Sequence, residues 1–333
     1  MKRLVIILLI ISLCAPLLTS CNESHDSGKL SIIATVFPQY DFVRQIIRGA
    51  EDSVSLRMML PPGSESHDYE ASLGDVSAVG DADLIICVGG ETDAWIDTVI
   101  DGSGSKATVL RLTDMVPLLR EDTEGIFEDS HDHEHSHEHS HDHGEHGEAC
   151  DADHGEYDEH VWTSPENAAL MTERISEALC ALMPEQRELF RENTKHYVDE
   201  LTAIQRDMEQ AVLESELDTL IFADRFPFRY LTESLGLHHL AAFSGCSSDT
   251  EPALSTIYRL TEKAKEISAP VILTAEFSNG YSASVIASET GAVVRTLHSC
   301  HNVSREDLSD GVTYSALMEK NLEVLKEALT PRS

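Results

Sequence analysis

Residues 184–213, PEQRELFRENTKHYVDELTAIQRDMEQAVL, decide the fold. Phe190, Tyr197, Leu201, Ile204, Met208 and Ala211 recur at three- and four-residue spacing, and no Gly or Pro follows Pro184. That spacing is one apolar face of an α-helix. At about 1.5 Å per residue the helix reaches roughly 40 Å, more than one small lobe needs. A coiled-coil dimer is the rival reading, but the stripe is short for one and Thr194 interrupts it. The stretch reads as a rigid strut between two lobes, and the chain is expected to be a monomer.

Outward from the strut, each flank alternates short β-rich runs with helical ones, the pattern of a parallel α/β sheet. Strands are expected at 30–36, 54–60, 84–88 and 108–112 before it, and at 219–223, 240–243, 271–275 and 293–297 after it. Ser164-Pro165 opens a helix with a capping hydroxyl and a proline at the first position. Further helices are expected at 250–267, 281–290 and 314–328. The fold class is α/β: two lobes, each a four-stranded, mainly parallel sheet flanked by helices, joined by one long rigid helix. The expected boundaries are 30–183 for the N-terminal lobe, 184–215 for the linking helix and 216–333 for the C-terminal lobe.

Inside the first lobe, residues 121–159 break the pattern. Eight histidines lie between His131 and His146 with no apolar residue among them, and His154 follows. Such a segment cannot bury a core and is expected to be a mobile loop. Imidazole is the commonest protein ligand for zinc-like metals, so the loop is expected to collect metal loosely. An expression tag would sit at a terminus and lack the alternating acids. The formal charge is -35, and sixteen acids but no Lys or Arg lie from Glu121 to Glu159. A chain this acidic attracts cations and is a poor partner for nucleic acid.

The first twenty residues read as an export signal: Lys2 and Arg3, an apolar run from Leu4 to Leu18, then small polar residues. The run is short for a transmembrane span. Leu18-Thr19-Ser20-Cys21 resembles a bacterial lipobox, so Cys21 is expected to carry lipid, with residues 21–29 a tether to the membrane. The expected address is extracytoplasmic and lipid-anchored. Among the seven cysteines there is no Cys-x-x-Cys pair, which argues against a zinc ribbon or thioredoxin-type site. Cys87 and Cys180 read as buried thiols. Cys246 and Cys300 each lie just past an expected strand on one sheet edge and are the expected disulfide, with two free thiols as the alternative.

Ligands of open parallel sheets bind beyond the carboxyl ends of the strands. His67, His160, Asp224, His298 and His301 all fall at such points, where two facing lobes would share a cleft. A lone histidine is ordinarily just a polar surface or core residue; several at equivalent topological points suggest a metal site.

At this point the chain resembles the zinc- and manganese-type solute-binding proteins that serve bacterial ABC importers. The resemblance rests on Pro61-Pro62-Gly63 with His67-Asp68-Tyr69-Glu70, on Asp81-Ala82-Asp83-Leu84-Ile85 with Gly89-Gly90-Glu91 and Trp95, and on Asp158-x-His160-Val161-Trp162-x-Ser164-Pro165. Thr313-Tyr314-x-x-Leu317-Met318-x-x-Asn321-Leu322 also fits. It implies two lobes bridged by a helix, with His67 and His160 as metal ligands. The family's third histidine matches Ala223 in Phe222-Ala223-Asp224-Arg225-Phe226 and is absent here. Its fourth ligand, an Asp, matches His298. A histidine-rich acidic insertion is similar to that of the zinc-importing branch.

The expected set is therefore His67, His160, His298 and His301 around Zn2+, with Asp224 as the alternative fourth ligand. Nitrogen-rich coordination favours zinc over manganese. The expected function is a receptor that passes zinc to a membrane ABC permease. A surface adhesin or metal buffer built on the loop is the alternative. A secreted zinc hydrolase is disfavoured because no His-Glu-x-x-His or Gly-x-Ser-x-Gly motif is present, so the chain is not expected to be an enzyme.

Overall fold

The computed structural model describes residues 28–64, 69–121, 125–127, 157–245 and 251–331. The signal, Cys21, the tether up to residue 27, His67, the histidine-rich segment from 128 to 156 and Cys246 lie outside the described residues. No helix among the described residues is long and apolar enough to cross a membrane.

Two four-stranded parallel sheets form the scaffold. The N-terminal lobe holds β1 (Leu30–Ala34), β2 (Val54–Met58), β3 (Leu84–Cys87) and β4 (Thr108–Arg111) in the order β2-β1-β3-β4. The C-terminal lobe repeats that order with β5 (Thr219–Phe226), β6 (His238–Ser244), β7 (Val271–Thr274) and β8 (Val293–Thr296), as β6-β5-β7-β8. Every residue of the inner strands β3 and β7 is buried, whereas edge strands β2 and β8 alternate or lie largely exposed. Helices cover both faces of an inner parallel strand, which is why its sequence is continuously apolar.

In the N-terminal lobe the helices are α1 (Phe37–Ile46), α2 (Leu73–Gly80), α3 (Trp95–Ser103) and α4 (Pro165–Leu182). Ser164 caps α4 by accepting from the Asn167 N–H, and Pro165 takes the first helical position as its sequence requires. The strut is α5 (Arg187–Leu213), entered through a 3-10 turn at Pro184–Gln186. Its buried stripe is Phe190, Thr194, Tyr197, Leu201, Ile204, Gln205 and Met208. Thr194, the polar break in that stripe, donates to the Phe190 carbonyl and lies 2.7 Å from Ser176 Oγ, so its hydroxyl is satisfied inside the core.

The C-terminal lobe adds α6 (Arg229–Leu235), α7 (Leu254–Glu266), α8 (Tyr281–Thr290), α9 (Arg305–Ser309) and α10 (Tyr314–Leu329). The sequence had placed the start of α7 at residue 250; it begins at Leu254. One large apolar cluster runs unbroken from Ile32 and Phe42 in the first lobe, along α4 and the strut, to Leu273 and Tyr314 in the second. Each sheet's other face has its own smaller core.

At the join sits Asp41, fully buried on α1. Its carboxylate accepts from Arg44 and Gln45 on α1, from Tyr197 on the strut and from the Tyr314 N–H that starts α10. Burial raises its pKa, although Arg44, the Tyr314 N–H and Gln45 pull the other way. The lobes also share backbone: Phe37 N–H donates to the His301 carbonyl at 3.2 Å and Gly63 N–H to that of Val303 at 2.9 Å.

Candidate metal site

Asp158-Glu159-His160 carries the N-terminal lobe's contribution. All three residues are buried. Asp158 Oδ1 accepts from the His160 backbone N–H at 2.8 Å and lies 3.1 Å from His160 Nδ1. A carboxylate at Nδ1 fixes the proton there and leaves the Nε2 lone pair for a metal. Burial opposes charging this ring, but Asp158, then Glu159 and Glu121, outweigh it, so the pKa of His160 is raised.

Glu159 explains the Gly89-Gly90-Glu91 motif. Its carboxylate accepts from the Thr92 N–H at 3.0 Å and from the Thr92 hydroxyl. A Cβ on Gly90 would fall 1.8 Å from Glu159 Oε2, so only glycine lets the carboxylate in. Asp93 ties the same turn together by accepting from Val88 N–H, Gly89 N–H and the Thr35 hydroxyl. The motif is thus a built turn that seats the residue beside His160.

Across the cleft, the His160 ring reaches the C-terminal lobe. A Cβ on Gly245 would lie 3.1 Å from His160 Cε1. His301 stands edge-on to His160 with ring centroids 6.2 Å apart, and to Trp162 at 5.4 Å. Trp162 Nε1 donates to the Ser299 carbonyl at 2.8 Å, and Tyr314 donates to the Trp162 carbonyl at 2.6 Å. Asn302 donates to the carbonyls of both Pro61 and Ser64 at 2.8 Å. The loop from 298 to 303 is therefore stitched to the turn that precedes His67.

A cavity of about 300 Å³ opens between the lobes, lined in part by Ser64, His160, Asp224, Arg225, Glu276 and His301. His160, His301 and Asp224 thus share it. His298 does not line it. Its Nδ1 accepts from the Cys300 N–H at 2.9 Å and lies 3.5 Å from Glu276 Oε1, and its backbone is clamped on both sides by Asn321. A ring that accepts at Nδ1 carries its neutral-state proton at Nε2 and offers no lone pair there. His67 lies outside the described residues. Among the described residues, no three His, Cys, Asp or Glu side chains gather closely enough to hold an ion.

The position that matches the family's third histidine is resolved by a β-bulge. The pairing of β5 with β6 shifts between Phe222 and Arg225. Ala223 packs into the C-terminal lobe's own core, while its neighbour Asp224 lines the cavity. Ile221 and Ala223 share one face by strand alternation, and Asp224, beside the bulge, turns to the cavity.

Glu276 was not singled out from the sequence. It accepts from Ser299 N–H at 2.7 Å and from Ser299 Oγ at 2.5 Å, and so anchors the loop that bears His301. It follows β7 at the carboxyl end, the same positional signal that found the other candidates. The expected Cys246–Cys300 bridge is not made at Cys300, which is a free and fully buried thiol at left-handed φ of 61°. Its Sγ faces the His298 carbonyl at 3.8 Å, inside the main core. Burial pushes that thiol well above its usual range. Cys87 and Cys180 are buried free thiols, as expected.

Comparison with known proteins adds a family. Residues 32–328 match the model described as zinc-uptake complex component A, periplasmic. The zinc-binding lipoprotein AdcA of Streptococcus pneumoniae serotype 4 is 30% identical over 323 residues, covering 96% of this chain. The chain spans 60% of that relative's length. The high-affinity zinc uptake system protein ZnuA of Bacillus subtilis is 28% identical over 334 residues, 98% of each chain. The crystal structure of the Zn(II)-bound ZnuA-like domain of Streptococcus pneumoniae AdcA superposes with a TM-score of 0.70 at 26% identity, covering 91% of this chain and 99% of that one.

Proposed function

This chain belongs to the zinc-uptake complex component A family, and from that premise we propose that it is an extracytoplasmic, lipid-anchored receptor. It captures Zn2+ between its lobes and delivers it to a membrane ABC permease, with no catalytic step. The observation that carries this reading is that His160 and His301, presented from opposite lobes, line one cavity with their ring centroids 6.2 Å apart.

His160 is the preformed donor, because Asp158 already orients it. His301 supplies the second imidazole, and His67, which lies outside the described residues, the third. Asp224, which lines the same cavity, is the carboxylate for the fourth position of a closed tetrahedral site. His298, turned onto Glu276, supports the loop. Three imidazoles and one carboxylate favour zinc over manganese, which takes oxygen-rich octahedral sites. The histidine-rich segment, which lies outside the described residues, is a second and weaker class of metal donors by its imidazole and carboxylate chemistry.

The test is competition with a chelator, using metal-stripped protein that lacks residues 128–156 and titrating with Zn2+ and Mn2+. One tight zinc site, with manganese weaker, is expected. Loss of all tight binding with that segment would make the protein a metal buffer and end the receptor reading.

A further inference from the structure

The histidine-rich segment leaves and rejoins the fold through short stretches that the sequence assigns wholesale to the loop. They are ordered, and they touch the C-terminal lobe. Arg120 and Tyr157 form an antiparallel bridge, and the Asp158 N–H donates to the Leu119 carbonyl at 3.0 Å. The hydroxyl of Tyr230, on α6 of the opposite lobe, sits on this pair of strands. It accepts from Leu119 N–H at 3.0 Å and donates to the Asp158 carbonyl at 2.8 Å.

Further along, residues 125–127 cross to the C-terminal lobe and pair with β6 on the edge of its sheet. Ala241 N–H donates to the Gly125 carbonyl at 2.9 Å, and Phe127 N–H donates to the Ala241 carbonyl at 3.0 Å. Thr256 Oγ1 donates to the Phe127 carbonyl at 2.7 Å, and the Arg259 guanidinium lies 4.2 Å from the Phe127 ring centre. Gly125 adopts φ of 82°, and a Cβ there would fall 2.3 Å from the His239 carbonyl oxygen. A side chain is excluded by both conformation and space.

We propose that this stem is part of the receptor: Tyr230 and the Gly125–Phe127 strand are positioning residues that hold Asp158, and through it His160, against the C-terminal lobe. The chain of contact is short. Tyr230 grips the Asp158 backbone, the Asp158 carboxylate orients the His160 ring, and that ring faces His301 across the cleft. Opening the lobes about the strut must break the Tyr230 contacts or peel the strand from β6. The stem therefore controls how fast a bound ion escapes, and has little effect on how fast one arrives. The alternative is that the strand only covers an exposed sheet edge against aggregation. That role would set stability and leave metal kinetics alone.

The inference rests on the receptor reading, and the experiment separates the two. Full-length protein carrying Tyr230→Phe, Gly125→Val or Phe127→Ala is loaded with Zn2+, and release into excess chelator is followed by stopped flow. The slowest phase reports the cleft. Tyr230→Phe keeps the ring and removes only the hydroxyl, so that phase is expected to quicken about fivefold, the worth of an ordinary hydrogen bond. Gly125→Val should quicken it at least as much. Association rates and the thermal midpoint of the metal-free Tyr230→Phe protein should stay near wild type. Unchanged release in both Tyr230→Phe and Gly125→Val, from protein that still holds zinc, overturns the proposal. So does faster release only in step with lost thermal stability. A wild-type protein with no slow phase would instead end the receptor reading itself, and this proposal with it.

Discussion

The two lobes share one strand order but present their candidate ligands differently. In the N-terminal lobe His160 is buried, its Nδ1 is taken by Asp158, and the neighbouring Glu159 is locked into the Gly90–Thr92 turn. In the C-terminal lobe the candidates sit on a bulge in β5 and on an irregular loop after β8 that passes through a left-handed Cys300. One lobe offers a donor already in place. The other offers several groups, of which the fold turns Asp224 and His301 inwards and His298 aside. The same scaffold therefore presents one ring fixed by its neighbours and, opposite it, a set of groups carried on less regular backbone.

That contrast can be broken at its stiff end first. His160→Ala should weaken zinc binding by more than about a hundredfold, above the tenfold to hundredfold typical of losing an outer-shell partner. Isothermal titration against a chelator decides it, and a loss no larger than that of any C-lobe variant would erase the distinction between the lobes.

On the C-terminal side, His301→Ala should cost about tenfold, near 1.4 kcal/mol. His298→Ala should cost less than about twofold in the same assay, because its Nδ1 serves the Cys300 N–H. Equal losses at the two positions would mean that the loop rearranges to offer both rings. A larger loss in Asp224→Ala than in His301→Ala would make the carboxylate the principal C-lobe donor.

Gly90→Ala sharpens the comparison without touching a ligand. The new methyl collides with Glu159, so overpacking of about 1–3 kcal/mol is expected, read as a thermal midpoint lowered by a few degrees. Zinc affinity should fall with it, since Glu159 adjoins His160. Alanine tolerated without either change would mean the Glu159 turn is dispensable.

The smallest effect concerns acid. Ser72 and Asp75 cap α2, whereas α8 begins at left-handed Gly280 with no side-chain cap. Asp75 is partly desolvated, which raises its pKa, but hydrogen bonds from Ser72 and Tyr69 and the charge of Arg57 outweigh this and lower it overall. A lowered carboxylate pKa adds stability that is full above the ordinary value of 3.8 and disappears as pH falls through the folded value. Asp75→Asn should therefore narrow the gap in thermal midpoint between pH 6 and pH 3. A gap as wide as wild type's would place the acid sensitivity elsewhere.

Much of the fold was legible because it follows from periodicity. The continuous apolar runs of β3 and β7 and the α5 stripe have to lie where they do, since no other arrangement buries them. Ser164-Pro165 marked the start of α4 to the residue. The site was legible only as a set of topological positions, of which His160, Asp224 and His301 line one cavity and His298 does not.

What the sequence could not decide was orientation. The bulge beside Asp224 is a register shift against β6, a partner about nineteen residues away. His298 turns onto the Cys300 N–H while Asn321 of α10 clamps its backbone, and the burial of Cys300, which removes it from the expected disulfide, depends on the core beneath it. The stem that the loop's composition concealed is held by Tyr230 and β6, more than a hundred residues downstream by count. Local pattern determines which elements form and where their ends meet. Which atom faces the cleft is set by long-range hydrogen bonds and close packing, and only the assembled tertiary structure supplies those.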